Sequence, residues 1–232
     1  MLSVFVVPEI TPSSSLEVEG DEAHHAIKVM RLGVGEEIVL TDGTGSWAQG
    51  RVEEIHKKSF SVAVTKRGFQ EERIPELIVI QALTKSDRMR ETIEMLTVAG
   101  VHRIIPWSSE RSIAQAKDDS VEKWNLVAIA ASKQSRRVRF PIIEQPMTTN
   151  QIRERFGDSL LVLHEGASHQ LRDVKFLENE PIVLLVGPEG GISESEMAKL
   201  GGISIRLGEE VLRSAHAGFA ALAAIQTLIH RW

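Results

Sequence analysis

Hydrophobic and polar positions follow two different periods along the 232 residues of the chain. Up to residue 70, short apolar or alternating runs lie between turn signals, a pattern typical of half-buried β-strands. The predicted elements are strands at Glu37–Thr41, Ser46–Ile55 and Ser59–Val64, a turn at Asp42-Gly43-Thr44-Gly45, and one short helix over Glu22–Val29. Residues 1–70 are therefore predicted to form a small β-barrel. The acidic segment Gln70–Pro75 is the candidate linker.

From residue 76 the pattern changes to alternation of short apolar runs with longer helical periods. Strands are predicted at Leu77–Leu83, Arg103–Ile105, Leu160–Leu163, Ile182–Val186 and Ile203–Leu207. Helices are predicted at Met89–Ala99, Val121–Arg136, Thr149–Phe156, Glu194–Leu200 and Glu210–His230, with glycine C-caps at Gly100 and Gly201-Gly202. This alternation predicts an α/β domain over residues 76–232, with a parallel sheet and helices on both of its faces.

Two glycine-bearing loops are the candidate ligand site. The apolar strand Ile182–Val186 runs into Gly187-Pro188-Glu189-Gly190-Gly191, and Ser193 with Glu196 has the spacing of a capping box. Leu207-Gly208 ends the next strand and leads to a second loop before Arg213. Small residues let a ligand approach the backbone beside a helix N-terminus, although such a sequence is also common in plain turns. Neither G-x-G-x-x-G nor G-x-x-x-x-G-K-[ST] is present, which argues against a dinucleotide fold or a P-loop.

Composition narrows the function classes. The chain has no cysteine, which excludes disulfides and cysteine catalysis, and its eight histidines show no paired metal-ligand spacing. Apolar runs are too short to span a membrane, and Leu2–Val7 lacks the basic flank of a signal peptide, so a cytoplasmic protein without metal is expected. The net charge is −5, yet residues 85–139 carry 11 basic and 7 acidic side chains. This excess of basic residues is consistent with a surface that contacts phosphates or with an ordinary solvent-exposed surface.

The motifs of the second region resemble those of the RsmE-type RNA methyltransferases, a branch of the SPOUT superfamily. The resemblance is carried by the glycine loop with its S-x-x-E helix start and by Leu207-Gly208-Glu209-Glu210-Val211-Leu212-Arg213-Ser214 before an alanine-rich helix. Upstream it includes Gln81-Ala82-Leu83-Thr84-Lys85-Ser86-Asp87-Arg88-Met89, Arg103-Ile104-Ile105-Pro106, Ser109-Glu110-Arg111-Ser112, and Lys123-Trp124 with Ala131–Arg137. Near the N-terminus, His24-His25-Ala26 to Met30-Arg31-Leu32 also matches, so the likeness covers nearly the whole chain.

The resemblance implies a SPOUT α/β-knot, a trefoil-knotted parallel sheet with flanking helices, behind an N-terminal PUA-like β-barrel that binds RNA. Connection rules alone favour an open doubly wound sheet, since knots are rare. It further implies a homodimer that uses S-adenosylmethionine to methylate N3 of a uridine in 16S ribosomal RNA, as bare RNA or within the small ribosomal subunit. Small alanines in Glu210–His230 would let a second subunit approach closely.

Site residues follow from placing the family motifs on this chain. The expected cofactor-binding residues are Leu163, His164, Glu165, Gly166, Val186, Gly187, Pro188, Glu189, Gly190, Gly191, Leu207, Gly208, Val211, Leu212 and Arg213. Arg213 is expected to stabilise the uracil anion, and Glu189 is the second catalytic candidate; His216 or water are alternative bases. The expected RNA-binding residues are Arg31, Lys85, Arg88, Lys133, Gln134, Arg136, Arg137 and Arg139.

Two segments depart from the family pattern. Glu94–Gly100 lacks the Lys and Glu of Q-K-A-T-E-L-G, and Ser214–Ala217 replaces T-E-T-A, so any role of the missing residues is absent here. Three alternatives stay open: a SPOUT ribose 2′-O-methyltransferase, which would be expected to carry an early N-x-x-x-R element; a nicotinamide-dependent oxidoreductase; and a non-catalytic RNA-binding assembly factor.

Overall fold

The computed structural model describes residues 2–112, 114, 116–117 and 119–232, apart from the side chain of Ser86. The chain forms two compact units, Met1–Glu72 with Ile129–Phe140, and Arg73–Ala128 with Pro141–Trp232. Residues 129–140 thus lie in the first unit, although the sequence places them in the second domain. The reason is hydrogen bonding: the Thr41 hydroxyl donates to the Val138 carbonyl at 2.8 Å, and the Phe140 N–H donates to the Gly43 carbonyl at 2.8 Å.

The first unit is built on a five-stranded sheet. Its strands are β1 (Ser3–Val6), β2 (Ser15–Glu19), β3 (Glu37–Thr41), β4 (Ser46–Ile55) and β5 (Ser59–Phe69), in the order β1-β3-β4-β5-β2. Only β1 pairs in parallel, with β3. A helix α1 (Gly20–His24) continues as a π-helix over His25–Val29. Strands β3 and β4 match the prediction, whereas β1 and β2 were not predicted and β5 extends five residues beyond Val64.

The second unit contains an eight-stranded sheet in which every pairing is parallel. Its strands are β6 (Leu77–Ala82), β7 (Arg103–Ser108), β8 (Ile142–Ile143), β9 (Met147–Thr148), β10 (Leu160–Leu163), β11 (His169–Gln170), β12 (Ile182–Val186) and β13 (Ile203–Arg206). The order is β11-β13-β10-β12-β6-β7-β8, with β9 beside β7. Helices are α2 (Ser86–Val98), α3 (Ser120–Gln134), α4 (Thr149–Phe156), α5 (Glu194–Leu200) and α6 (Ser214–Leu228).

Alternate residues of the central strands enter two separate cores, which confirms helices on both faces of the sheet. Leu184 packs in the core that includes residues of α2, α3 and α6, whereas its neighbour Leu185 packs with residues of α4 and α5. This alternation follows from the two-residue period of a strand. Gly100 and Gly201 have φ angles of 85° and 71°, which confirms both glycine caps.

The last helix begins four residues later than predicted. Residues 210–213 lie outside the helix, and Arg213 is the N-cap residue with φ −61° and ψ 144°. Val211 and Leu212 are 73% and 42% exposed, so no core contact recruits them into the helix. Within the described part of the chain, no helix has the length and apolar character needed to cross a bilayer.

Candidate active site

The loops that follow β10, β12 and β13 surround one cavity of about 800 Å³ in the second unit. These strands are parallel neighbours, so their carboxyl ends meet at the same edge of the sheet, the usual position of a ligand in an α/β fold. All of the expected cofactor-binding residues except Gly166 line this cavity. The Gly166 N–H instead donates to Nδ1 of His164 at 3.1 Å, which shapes the turn behind the lining residues.

The first cavity loop, residues 187–193, is tightly constructed. A Cβ on Gly187 would lie 2.8 Å from Cγ1 of the buried Ile192, so only glycine fits without movement. Gly191 has a φ of 72°, and its N–H donates to the Pro188 carbonyl at 2.9 Å to close a turn. Gly187 and Gly191 are therefore required by the loop's own geometry.

A buried carboxylate fastens this loop to the end of β7. Glu196 is fully buried and accepts hydrogen bonds from the Glu110 N–H and the Thr149 hydroxyl, both at 2.9 Å. Ser193 caps α5 by accepting the Glu196 N–H at 3.1 Å, so the predicted capping box is half formed. Its second half is absent because the Glu196 carboxylate binds Glu110, just after β7, and Thr149 of α4 instead of the Ser193 backbone.

The Glu110 side chain adds a second connection. Its carboxylate accepts the Ser193 hydroxyl at 2.6 Å and the Ser195 hydroxyl at 3.0 Å. These hydrogen bonds, Ser193 first and then Ser195, hold the pKa of Glu110 below its ordinary value. The ionised carboxylate is therefore the form that joins the two loops.

Arg111 is a cavity residue that the sequence did not assign. Its Nη1 donates to the Gly190 carbonyl at 2.9 Å, and the residue lines the cavity. The S-E-R-S motif drew attention to this segment, but 79 residues separate the two partners. Only the folded sheet brings them together.

Gln81 is a second residue that the sequence did not assign to the site. It is connected to the cavity through Ser214. Gln81 is fully buried in β6 and donates to the Ser214 hydroxyl at 3.0 Å, which in turn donates to the Gly187 carbonyl at 2.5 Å. The first turn of α6 and the first cavity loop are therefore joined. Gly218, one turn farther along α6, packs closely against Gln81 and Val186.

The second cavity loop, residues 207–213, is open. Residues 208–213 are all exposed, and no hydrogen bond or ion pair holds 208–212 within the described structure. Glu189 and Arg213 both line the cavity, and no ion pair joins them among the described side chains. His216 instead lies beyond Arg213 and faces Glu91 of α2, with 3.6 Å between Nε2 and Oε1.

The expected RNA-binding residues do not gather at this cavity. Lys133 forms an ion pair with Glu22 at 2.6 Å, and Arg139 lies over the Phe69 ring while donating to the Gln70 carbonyl at 2.9 Å. Both side chains are thus engaged inside the first unit. Arg137 donates to the Arg139 carbonyl at 3.1 Å.

The other members of that set are more accessible. Gln134 and Arg136 are exposed at the end of α3, and Arg31 is exposed after the π-helix with a φ of 58°. In the second unit, Lys85 is exposed and Arg88 half-buried at the start of α2. These side chains are placed where a polyanion can reach them.

The cavity suits a partly apolar small molecule. Its volume lies within the range of about 300–1,000 Å³ for small-molecule sites. Leu163, Leu207, Val211 and Leu212 offer apolar contact, while the glycine loop exposes backbone. The described residues contain no group of three histidine, cysteine or acidic side chains able to hold a metal ion.

Comparison with known proteins agrees with this geometry. A family model described as an RNA methyltransferase domain matches residues 70–226, and one described as an RNA methyltransferase PUA domain matches residues 18–65. The chain is 36% identical over 228 residues to a Mycobacterium bovis protein named ribosomal RNA small subunit methyltransferase E, covering 93% of this chain and 87% of the relative.

Two solved structures share the whole fold. One is ribosomal RNA small subunit methyltransferase E from Neisseria gonorrhoeae bound to S-adenosyl methionine, with 28% identity, 98% coverage of both chains and a TM-score of 0.88. The other, from Legionella pneumophila in complex with bound cofactor SAM, has 26% identity, 98% coverage of both chains and a TM-score of 0.88. These likenesses confirm the predicted SPOUT α/β-knot fold with an N-terminal PUA-like domain.

Proposed function

Because the chain belongs to the RNA methyltransferase family that includes ribosomal RNA small subunit methyltransferase E, we propose that it methylates N3 of a uridine in 16S ribosomal RNA. S-adenosylmethionine is the donor, in keeping with the relatives that bind it. The observation that carries the proposal is the single cavity enclosed by the loops after β10, β12 and β13. The choice of uridine N3 as the methylated atom depends on the motif resemblance.

The three loops divide the task of holding the donor. Leu163, Leu207 and Leu212 line the cavity and would form the apolar surface for its adenine. The backbone of residues 187–191 would hold its sulfonium end. When bound, S-adenosylmethionine supplies an activated methyl group. Because that group is already reactive, the protein contributes mainly proximity and orientation.

The remaining chemical task is to accommodate loss of the uracil N3 proton. Arg213 stands at the cavity with its planar set of donors, and it would stabilise the negative charge that spreads to the ring oxygens. Glu189, on the opposite loop, is our candidate for accepting the proton directly or through water. The target base must leave its stack to reach the cavity.

The partners follow from the same assignment. Ribosomal RNA, alone or in the small subunit, is the macromolecular substrate, and the cytoplasm is the compartment we propose. We also propose that two copies associate through α6, whose alanines permit close approach and whose C-terminal Leu228 is 38% exposed. Sedimentation at micromolar concentration tests this point, and a monomer would refute it.

The decisive experiment combines donor binding with identification of the product. Calorimetry with S-adenosylmethionine and with NAD is followed by nucleoside mass spectrometry of small subunits incubated with the protein. We expect binding of the first ligand alone and the appearance of 3-methyluridine. A 2′-O-methylated nucleoside would redirect the assignment to ribose methylation, and donor binding without any product would favour an assembly factor.

Arg213→Ala separates chemistry from binding. We expect a loss of about 100-fold or more in methyl transfer, the size seen when one anion-stabilising donor is removed. Donor affinity should change far less, because the backbone of the glycine loop is intact. Equal losses in both would show that Arg213 only helps to hold the donor.

A further inference from the structure

A second cavity, of about 390 Å³, lies within the first unit on the outer side of the sheet. Val4 and Val39, paired across β1 and β3, line it together with Trp47, Gln70 and Arg136. Trp47 is held in place by Gly68 on the neighbouring strand, where a Cβ would lie 2.4 Å from the indole. The glycine therefore leaves room for a flat aromatic ring at the edge of an apolar recess.

One cation lies near this ring and a second lines the recess. Nζ of Lys66 lies 5.8 Å from the centre of the Trp47 ring, and Arg136 lines the recess while remaining exposed. Neither side chain has an ion-pair partner among the described residues. This contrasts with Lys133 and Arg139 nearby, which are paired with Glu22 and Glu72.

The backbone of Arg136 is in an unfavourable conformation for its residue type. Its φ is 59°, and its N–H and that of Arg137 donate back to the carbonyls of Lys133 and Ser132 in the manner of a helix C-cap. Glycine is the residue that favours this position. An arginine there costs conformational energy, which suggests that its side chain has a role outside the fold.

We propose that this recess, lined by Trp47, Gln70 and Arg136, binds one unpaired nucleotide of the RNA substrate with the help of the neighbouring Lys66. The base stacks on Trp47 within the apolar recess, and the adjacent phosphate contacts Arg136 and Lys66. An aromatic platform flanked by free cations is the usual means of holding single-stranded RNA. The site rests on the proposed function, since it serves a protein that acts on RNA.

The test uses the full-length protein and a fluorescently labelled single-stranded uridine-rich oligoribonucleotide. Trp47→Leu removes the platform, and we expect about 10-fold weaker binding, within the range for one stacked base. Arg136→Gly removes a cation while placing the favoured residue at a positive φ, so the variant should melt no lower than wild type yet bind RNA several-fold less tightly. Lys58→Gln, which removes another exposed cation of this unit, is the charge-matched control and should bind nearly as wild type.

Donor binding separates this proposal from the function it rests on. All three variants should bind S-adenosylmethionine with wild-type affinity, whereas failure of the wild type to bind it would defeat the methyltransferase assignment instead. Wild-type RNA affinity in both Trp47→Leu and Arg136→Gly would overturn the nucleotide site. So would a change of sedimentation in Trp47→Leu, which would identify the recess as a contact between protein copies.

Discussion

The two cavity loops of the second unit are built in opposite ways. Residues 187–193 are held by Arg111, Ser214 and the carboxylates of Glu110 and Glu196, and Ile192 is buried beneath them. Residues 208–212 lack any such hydrogen bond in the described structure and expose Val211 and Leu212. The first loop is therefore fixed by the protein's own contacts, whereas the second leaves its apolar side chains exposed.

Because the loops differ in this way, substitutions in them should affect the stability of the fold and the affinity for the cofactor differently. Changes behind the first loop should affect both the folded state and the cofactor, because the loop belongs to the hydrogen-bonded structure. Changes in the second loop should weaken cofactor binding and leave the fold intact.

Glu196→Ala should have the largest effect. It leaves the Glu110 N–H and the Thr149 hydroxyl without their buried acceptor, so we expect about 2–4 kcal/mol of lost stability. Chemical denaturation measures this loss. Glu194→Ala, two residues earlier and exposed, is the control and should cost less than about 1 kcal/mol. Equal effects would mean that burial of Glu196 is irrelevant.

The double substitution Val211→Ser with Leu212→Ser should weaken S-adenosylmethionine binding by about 10- to 100-fold, because two side chains lose their apolar contact with the ligand. The melting temperature of the free protein should remain within a degree or two. Calorimetry and thermal unfolding on the same preparation check both quantities. A large drop in melting temperature would show that the second loop is part of the fold.

Arg111→Ala should weaken donor binding by about 5- to 10-fold, since a charge-assisted hydrogen bond to the Gly190 carbonyl is lost. Arg111→Lys restores the charge without the planar geometry and should recover only part of the affinity. Affinity unchanged in the alanine variant would show that the glycine loop holds its shape alone.

The smallest effect concerns pH. The pKa of Glu110 is lowered in the folded protein, by the hydroxyls of Ser193 and then Ser195. A group with a lowered folded pKa stabilises the protein above its unfolded value of 4.5, and that contribution is lost as pH falls through the folded pKa. The stability difference between wild type and Glu110→Gln should therefore be present at pH 7 and shrink as the pH falls below 4.5. A difference that is constant over this range would exclude the linkage.

Much of the second unit could be predicted from the sequence. Strands β10 and β12 and helices α4 and α5 have the predicted bounds, because buried apolar runs and caps are local signals. The cavity loops were also located, since glycines and a capping serine mark them. The start of α6 was wrong because apolar periodicity continues through Val211 and Leu212, although no neighbouring residue buries them.

The first unit was harder to predict from the sequence. Strands β1 and β2 are short and were missed, and their stability comes from pairing with β3 and β5, which lie far along the chain. Residues 129–140 also belong to this compact unit, which the sequence did not indicate. Their hydrogen bonds to Thr41 and Gly43 span nearly a hundred residues and leave no periodic signal.

The sequence alone determined the α/β alternation, the two glycine-bearing loops and the apolar faces, because each depends on residues within a few positions of one another. Only the tertiary structure decided which side chains stabilise those loops. Arg111, Glu110 and Gln81 reach partners 79 to 133 residues away, so their roles arise when parallel strands bring distant loops to one edge of the sheet. Arg136 is distinguished instead by its backbone conformation. Its positive φ, uncommon for a residue other than glycine, is known only from the folded structure.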